Sequence, residues 1–292
     1  MNMQIDLEKG IANVGDVSRM KEVMARARRG ERLVIGFIGG SITQGSLSTT
    51  PQTCYAYRVY TWWKETFPQA EFAYCNAGIG GTTSEFGAAR VGTDLLAERP
   101  DFVIVEFSVN DESTEHFKET YEGLVRKILG AAWNPAVLLV HNVFYHNGAN
   151  AQVMHAAIGR HYDLPSVSMQ SSIYSEVVAG RIANRAITPD DLHPNDEGHA
   201  LVASVITYFL ERVRSGKLTG SNARFTPGAN LPVPLTKNAY EDSVRIRNAA
   251  APDMAGPRWM DLRPMRPRRM ESRTASDMAG RRKRRGMPSP FW

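Results

Sequence analysis

The stretch VIGFIGGSITQGS, residues 34–46, ends an apolar run on two glycines and places a hydroxyl, Ser41, directly after them. Serine is a poor nucleophile until a base takes its proton, and histidine is the side chain whose pKa suits that task. The sequence offers such a base in TPDDLHPNDEGH, where Asp190 stands three residues before His193. A carboxylate at that spacing can fix the imidazole tautomer and stabilise the imidazolium. A glycine-rich turn, NAGIGGTTS (76–84), and the segment SVNDE (108–112), with Asn110, add backbone N–H groups and a side-chain amide. Donors of those kinds can hold a developing oxyanion, each worth roughly 3–4 kcal/mol in the transition state. The parts are those of acyl transfer. Glycines allow the sharp turn and a close approach of substrate, and a serine at a helix N-terminus has its own unpaired N–H to offer as a donor.

The elements that must bring these parts together can be read from hydrophobic patterning. Strands are expected at Leu33–Ile38, Phe72–Cys75, Phe102–Phe107, Ala136–His141 and Ser166–Met169, with helices at 16–29, 53–66, 84–98, 117–132, 149–161 and 196–213. Asp16 and Asp196 read as helix caps, and Gly30 as a helix stop. Strands that alternate with helices and are apolar almost throughout form a parallel sheet covered on both faces. With right-handed crossovers the result is an α/β fold, a three-layer α/β/α sandwich around a central parallel sheet of about five strands. Ligands in such folds bind beyond the carboxyl ends of the strands. Each candidate segment follows one of these strands, the His193 segment past a short helix.

Four blocks in this order, GGSIT, NAGIGGTTS, VND and DDLHP, resemble the SGNH hydrolases, the superfamily of GDSL-type esterases, over residues 33–210. GGSIT in particular resembles a branch of bacterial carbohydrate acetylesterases. The resemblance implies a flavodoxin-like fold and the following roles. Ser41 is the nucleophile, His193 the base and Asp190 the orienting acid, with Asp191 the competitor that spacing disfavours. The Ser41 N–H, the Gly81 N–H and the Asn110 side chain form the oxyanion hole. It also implies hydrolysis of small acyl esters, acetyl above all, on carbohydrates or simple esters, with no metal and no cofactor. The residue before the nucleophile is commonly Asp in this family, whereas here it is Gly40.

Gln44, Tyr145 and His146 lie close enough to strand ends to be candidates for substrate contact. Glu106 sits inside an apolar strand and needs a partner; Arg90 on the preceding helix is the expected one, a structural ion pair bracing the segment of Asn110. The aromatics Tyr55, Tyr57, Tyr60, Trp62 and Trp63 crowd one helix, as core or as a sugar-stacking surface. A catalytically inactive carbohydrate- or phosphate-binding relative is the rival reading. Against phosphate, no Lys follows the glycines as in a P-loop and the Rossmann glycine spacing is absent.

The chain has 292 residues and a net charge of +5. Residues 251–292 hold eleven Lys/Arg against four Asp/Glu, a net +7 that leaves −2 on the rest. The basic character belongs to this tail, which argues against a nucleic-acid partner for the main domain. No apolar run reaches the ~18–20 residues of a membrane span. The N-terminus lacks the pattern of a secretory signal, so the expected location is cytoplasmic. Cys54 and Cys75 form neither a disulfide framework nor a metal-type pair. Residues 1–217 read as the hydrolase domain. Residues 218–250 read as a linker and the start of an incomplete β-sandwich module, and 251–292 as a basic, disordered tail, as in a truncated or frame-shifted product. The sequence leaves a homo-oligomer open.

Overall fold

The structure, a computed structural model, describes residues 5–221 and 230–246. The expected basic tail lies outside them. Six strands form one sheet: β1 (Ile11–Asn13), β2 (Arg32–Gly39), β3 (Glu71–Gly78), β4 (Phe102–Glu106), β5 (Ala136–His141) and β6 (Ser166–Ser168), in the order β1-β6-β5-β4-β2-β3. The five strands read from the sequence are all parallel. The sixth, β1, pairs antiparallel with β6 at the edge; its three residues are too few to show a pattern.

Side-chain alternation along the strands creates two cores. Phe102, Ile104, Leu138 and Val140 face one side and pack against α1 (Ser18–Arg28), α3 (Tyr55–Thr66) and α9 (Asp196–Arg214). Val103, Val105, Val137 and Leu139 face the other and pack against α4 (Ser84–Asp94), α5 (Glu115–Leu129) and α6 (Gln152–His161). The short helix α2 (Ser41–Gln44) follows β2, and α7 (Ser175–Val178) and α8 (Asn184–Ile187) lead from β6 towards His193. The β2–β3 register runs unbroken from Arg32↔Glu71 to Gly39↔Gly78. The turns after both strands, and the Asn110 loop after β4, therefore open at one sheet edge.

The described residues up to Arg245 form one compact unit. The described part of the expected linker shows no strand; residues 235–245 run along α5 and α4. The buried Glu122 carboxylate receives the N–H groups of Leu235 (2.6 Å) and Thr236 (2.7 Å). Arg245 pairs with Asp94 at 2.7 Å. Among the described residues no helix is long and apolar enough to cross a membrane.

Candidate active site

Ser41 opens α2 immediately after Gly40, and only 8% of it is exposed. The His193 ring reaches it with Nε2 at 2.8 Å from Ser41 Oγ. On the far side of the ring, Nδ1 lies 2.6 Å from Asp190 Oδ2. The other carboxylate oxygen, Oδ1, accepts the backbone N–H of His193 (2.7 Å) and of Leu192 (3.1 Å). Burial pushes the Asp190 carboxyl up, but the bonds from the His193 ring and from these two N–H groups outweigh it and leave its pKa lowered. An acceptor-only carboxylate at Nδ1 assigns that proton to the ring, which leaves Nε2 to accept from the serine hydroxyl. Asp191 turns away. Its oxygens receive Asn184 Nδ2 (2.6 Å) and Arg185 (2.8 Å), while its carbonyl accepts the Tyr145 N–H at 2.8 Å.

The glycine-rich turn closes over Ser41 from β3. Gly81 has φ +70°, the left-handed region that favours glycine; a Cβ there would have open space, so backbone conformation and not crowding calls for glycine. Gln44 shapes this turn, since its Oε1 accepts the Gly80 N–H at 2.7 Å. Asn110 comes from the β4 side, in a turn where the N–H groups of Asn110 and Asp111 both bond Phe107 O (3.0 and 2.9 Å). Its amide lies against Gly40. A Cβ at position 40 would come well inside 3.0 Å of Asn110 Oδ1. The structure thus brings Ser41, Gly81, Asn110, Asp190 and His193 to one sheet edge.

The candidate contacts fare differently. His146 is exposed on the loop after β5, whereas Tyr145 is 3% exposed and belongs to the core. Burial holds the Tyr145 hydroxyl well above its ordinary pKa. Tyr55 and Trp63 are likewise core, while Tyr57 and Trp62 are half-buried.

The expected Arg90–Glu106 pair does not form. Arg90 donates to the carbonyls of Ala77 (2.6 Å) and Gly39 (3.1 Å) and sits 3.5 Å from Asp94. The reason is strand parity. Glu106 follows Phe102 and Ile104 in alternation and points to the α3 side, while α4 covers the opposite face. Glu106 instead meets Ser108 Oγ (3.3 Å) and Thr43 Oγ1 (3.4 Å), and burial raises its pKa to about 7.

Several residues that support the site carried no signal in sequence spacing. Thr43 bonds the Tyr55 hydroxyl at 2.8 Å beneath α2. His199 accepts the Tyr55 N–H at Nδ1 (3.2 Å) and faces Ser46 O with Nε2 (3.2 Å), tying the loop after Ser41 to α9. Asp196, expected as a cap, holds Thr49 through its N–H (2.9 Å) and hydroxyl (2.6 Å); Asn195 caps the helix. Cys54 and Cys75 are both free. Among the described residues no group of three or more His, Cys, Asp or Glu is placed to hold a metal ion.

Comparison with known proteins agrees with this architecture. The chain is similar to a two-domain esterase active on acetylated mannans, whose crystal structure with mannopentaose matches at 66% identity and a TM-score of 0.79. The match covers 84% of this chain and 64% of that one, so this chain spans under two thirds of the length of that relative. The fold is also that of Axe2, an acetylxylan esterase from Geobacillus stearothermophilus. One variant of it aligns at 18% identity with a TM-score of 0.52 over 61% of this chain and 94% of its own. A search of curated protein sequences returned no match. The model of the GDSL-like lipase/acylhydrolase family matches residues 37–201, more than half of the sequence, and the chain belongs to that family.

Proposed function

We propose that this chain is a serine esterase that removes small acyl groups, acetyl in particular, from carbohydrate esters. The observation that carries the reading is the unbroken relay Asp190–His193–Ser41, with links of 2.6 and 2.8 Å. The substrate class rests on the 66% identical relative, which is active on acetylated mannans.

In the proposed cycle Ser41 Oγ attacks the ester carbonyl while His193 Nε2 takes its proton. Charge moves to the carbonyl oxygen, where the N–H groups of Ser41 and Gly81 and the Asn110 amide donate to it. The tetrahedral adduct collapses, His193 returns the proton to the leaving alcohol, and an acyl-Ser41 ester remains. Water then attacks that ester and gives a proton to His193; the adduct collapses, the Ser41 Oγ–acyl bond breaks to release the carboxylic acid, and His193 returns the proton to Ser41 Oγ. Asp190 keeps Nδ1–H on the ring throughout and stabilises its charged form.

The reading is tested with p-nitrophenyl acetate and acetylated mannan. Wild type releases p-nitrophenol and acetate, and a fluorophosphonate probe labels it. Ser41→Ala takes no label and loses activity by at least roughly 10³-fold. Equal rates for the two proteins would refute the assignment, and labelling of the wild type argues against an inactive binding relative.

A further inference from the structure

We propose that Asp111 and His155 form a buried clasp that sets the geometry of the oxyanion hole, with His155 a positioning residue for the reaction. The inference rests on the esterase reading and adds to it a source for the alignment of its donors. Both side chains are fully buried, and His155 Nε2 lies 2.9 Å from Asp111 Oδ2. A carboxylate only accepts, so Nε2 carries the proton. The other oxygen, Oδ1, accepts the N–H of Ser84 at 2.8 Å. Ser84 is the first residue of α4, three positions after Gly81, and its hydroxyl bonds Thr120 on α5 at 2.6 Å. Asp111 itself is the residue after Asn110. One side chain therefore joins the two segments that supply the Gly81 N–H and the Asn110 amide.

His155 supplies rigidity from a third element. Its ring stacks on Tyr121 with centroids 3.6 Å apart and planes 4° from parallel. The stack fixes the ring plane, and the ring then fixes the carboxylate. A buried carboxylate is costly unless fully bonded. Here its oxygens engage a helix N-terminus and an imidazole, and neither partner touches the reacting atoms. If the clasp loosens, Gly81 and Asn110 lose their common anchor. A misplacement of about 1 Å in such groups can cost about 100-fold in rate.

The test compares wild type, His155→Phe and Asp111→Asn in the full chain. The readouts are p-nitrophenyl acetate kinetics, inhibition by methylboronic acid and by acetate, and thermal unfolding. Methylboronic acid forms a tetrahedral adduct that uses the oxyanion donors. For His155→Phe we expect kcat to fall about 10- to 100-fold with KM within about threefold of wild type. The Ki of methylboronic acid should rise by the same factor, and that of acetate, whose planar carboxylate uses the same donors less fully, by a smaller one. Asp111→Asn should be milder, because its amide oxygen still accepts from Ser84 and its N–H₂ can donate to the other tautomer of His155. If His155→Phe does not fold, Asp111→Asn decides alone, with at least about a threefold loss in both kcat and boronate affinity expected. Unchanged kcat and boronate affinity in folded variants, with only the unfolding temperature lowered, would overturn the clasp and leave a purely stabilising pair. Absence of hydrolysis by wild type would overturn the esterase reading and the clasp together.

Discussion

Gly40 shows how closely the proposed site is packed at the level of single atoms. The family commonly carries Asp before the nucleophile, yet here the Asn110 amide rests where a Cβ at position 40 would be. In this chain the absent side chain is what lets the amide reach the serine turn. Gly40→Ala should therefore push Asn110 aside without touching Ser41, His193 or Asp190. One oxyanion donor is typically worth about 10²–10³ in kcat. The expected outcome is a loss of kcat of about 100-fold on p-nitrophenyl acetate, with KM nearly constant and fluorophosphonate labelling slowed in parallel. A rise in KM at constant kcat would instead mean that position 40 contacts the substrate and that Asn110 moves freely.

The elements were legible to different degrees, for physical reasons. The parallel strands announced themselves because both their faces are buried, so they read as apolar runs. The site was legible because each of its parts follows a strand end. What sequence hid was the third dimension of contacts. Arg90 and Glu106 seemed an apt pair by charge, but alternation along β4 puts them on opposite faces of the sheet. Counting parity from Ile104 would have excluded the pairing. The cap of α9 was misread by one residue because Asn195 and Asp196 both suit the role, and only the fold brings Thr49 to the second. This tie leads to a prediction at the same scale. Asp196 holds the loop after α2 to the helix that follows His193, and its bonds from Thr49 and Thr53 lower its pKa to about 2. Asp196→Ala should free that loop, with little effect on global stability because the contact is exposed. Hydrogen exchange should then quicken at the Thr49 amide while the strand amides of β2 stay protected. Unchanged exchange at Thr49 would show that other contacts hold the loop.

Among the described residues, the buried His141, His199 and Glu106 have effects on stability that oppose each other. Burial lowers the pKa of His141 to about 3 and that of His199 to about 4, both from 6.5. Between pH 4.5 and 6.5 the unfolded chain binds protons at these two sites that the native chain refuses. Stability contributed by each therefore grows as pH rises through that window and is lost as pH falls. Glu106 acts in the other direction. Its native pKa is raised to about 7 from 4.5, so the native chain keeps a proton that the unfolded chain has released, and stability from this group falls as pH rises. Two histidines against one carboxyl leave an imbalance of one proton. The free energy of unfolding should thus climb by roughly 1 kcal/mol per pH unit near pH 5.5 and flatten as pH approaches 7. At pH 6.5 the unfolded histidines are still half protonated, so their contribution balances that of Glu106 only near pH 7, and the profile is nearly flat above it. Asp190 and Asp196, with lowered pKa values, act only below this range. Urea unfolding measured from pH 4.5 to 8 should accordingly rise and level off near pH 7. In Glu106→Gln the opposing proton is gone, so the climb near pH 5.5 should become about twice as steep. A wild-type profile that is flat across the window, or a variant with the wild-type slope, would mean that these buried groups keep their ordinary affinities for protons in the folded chain.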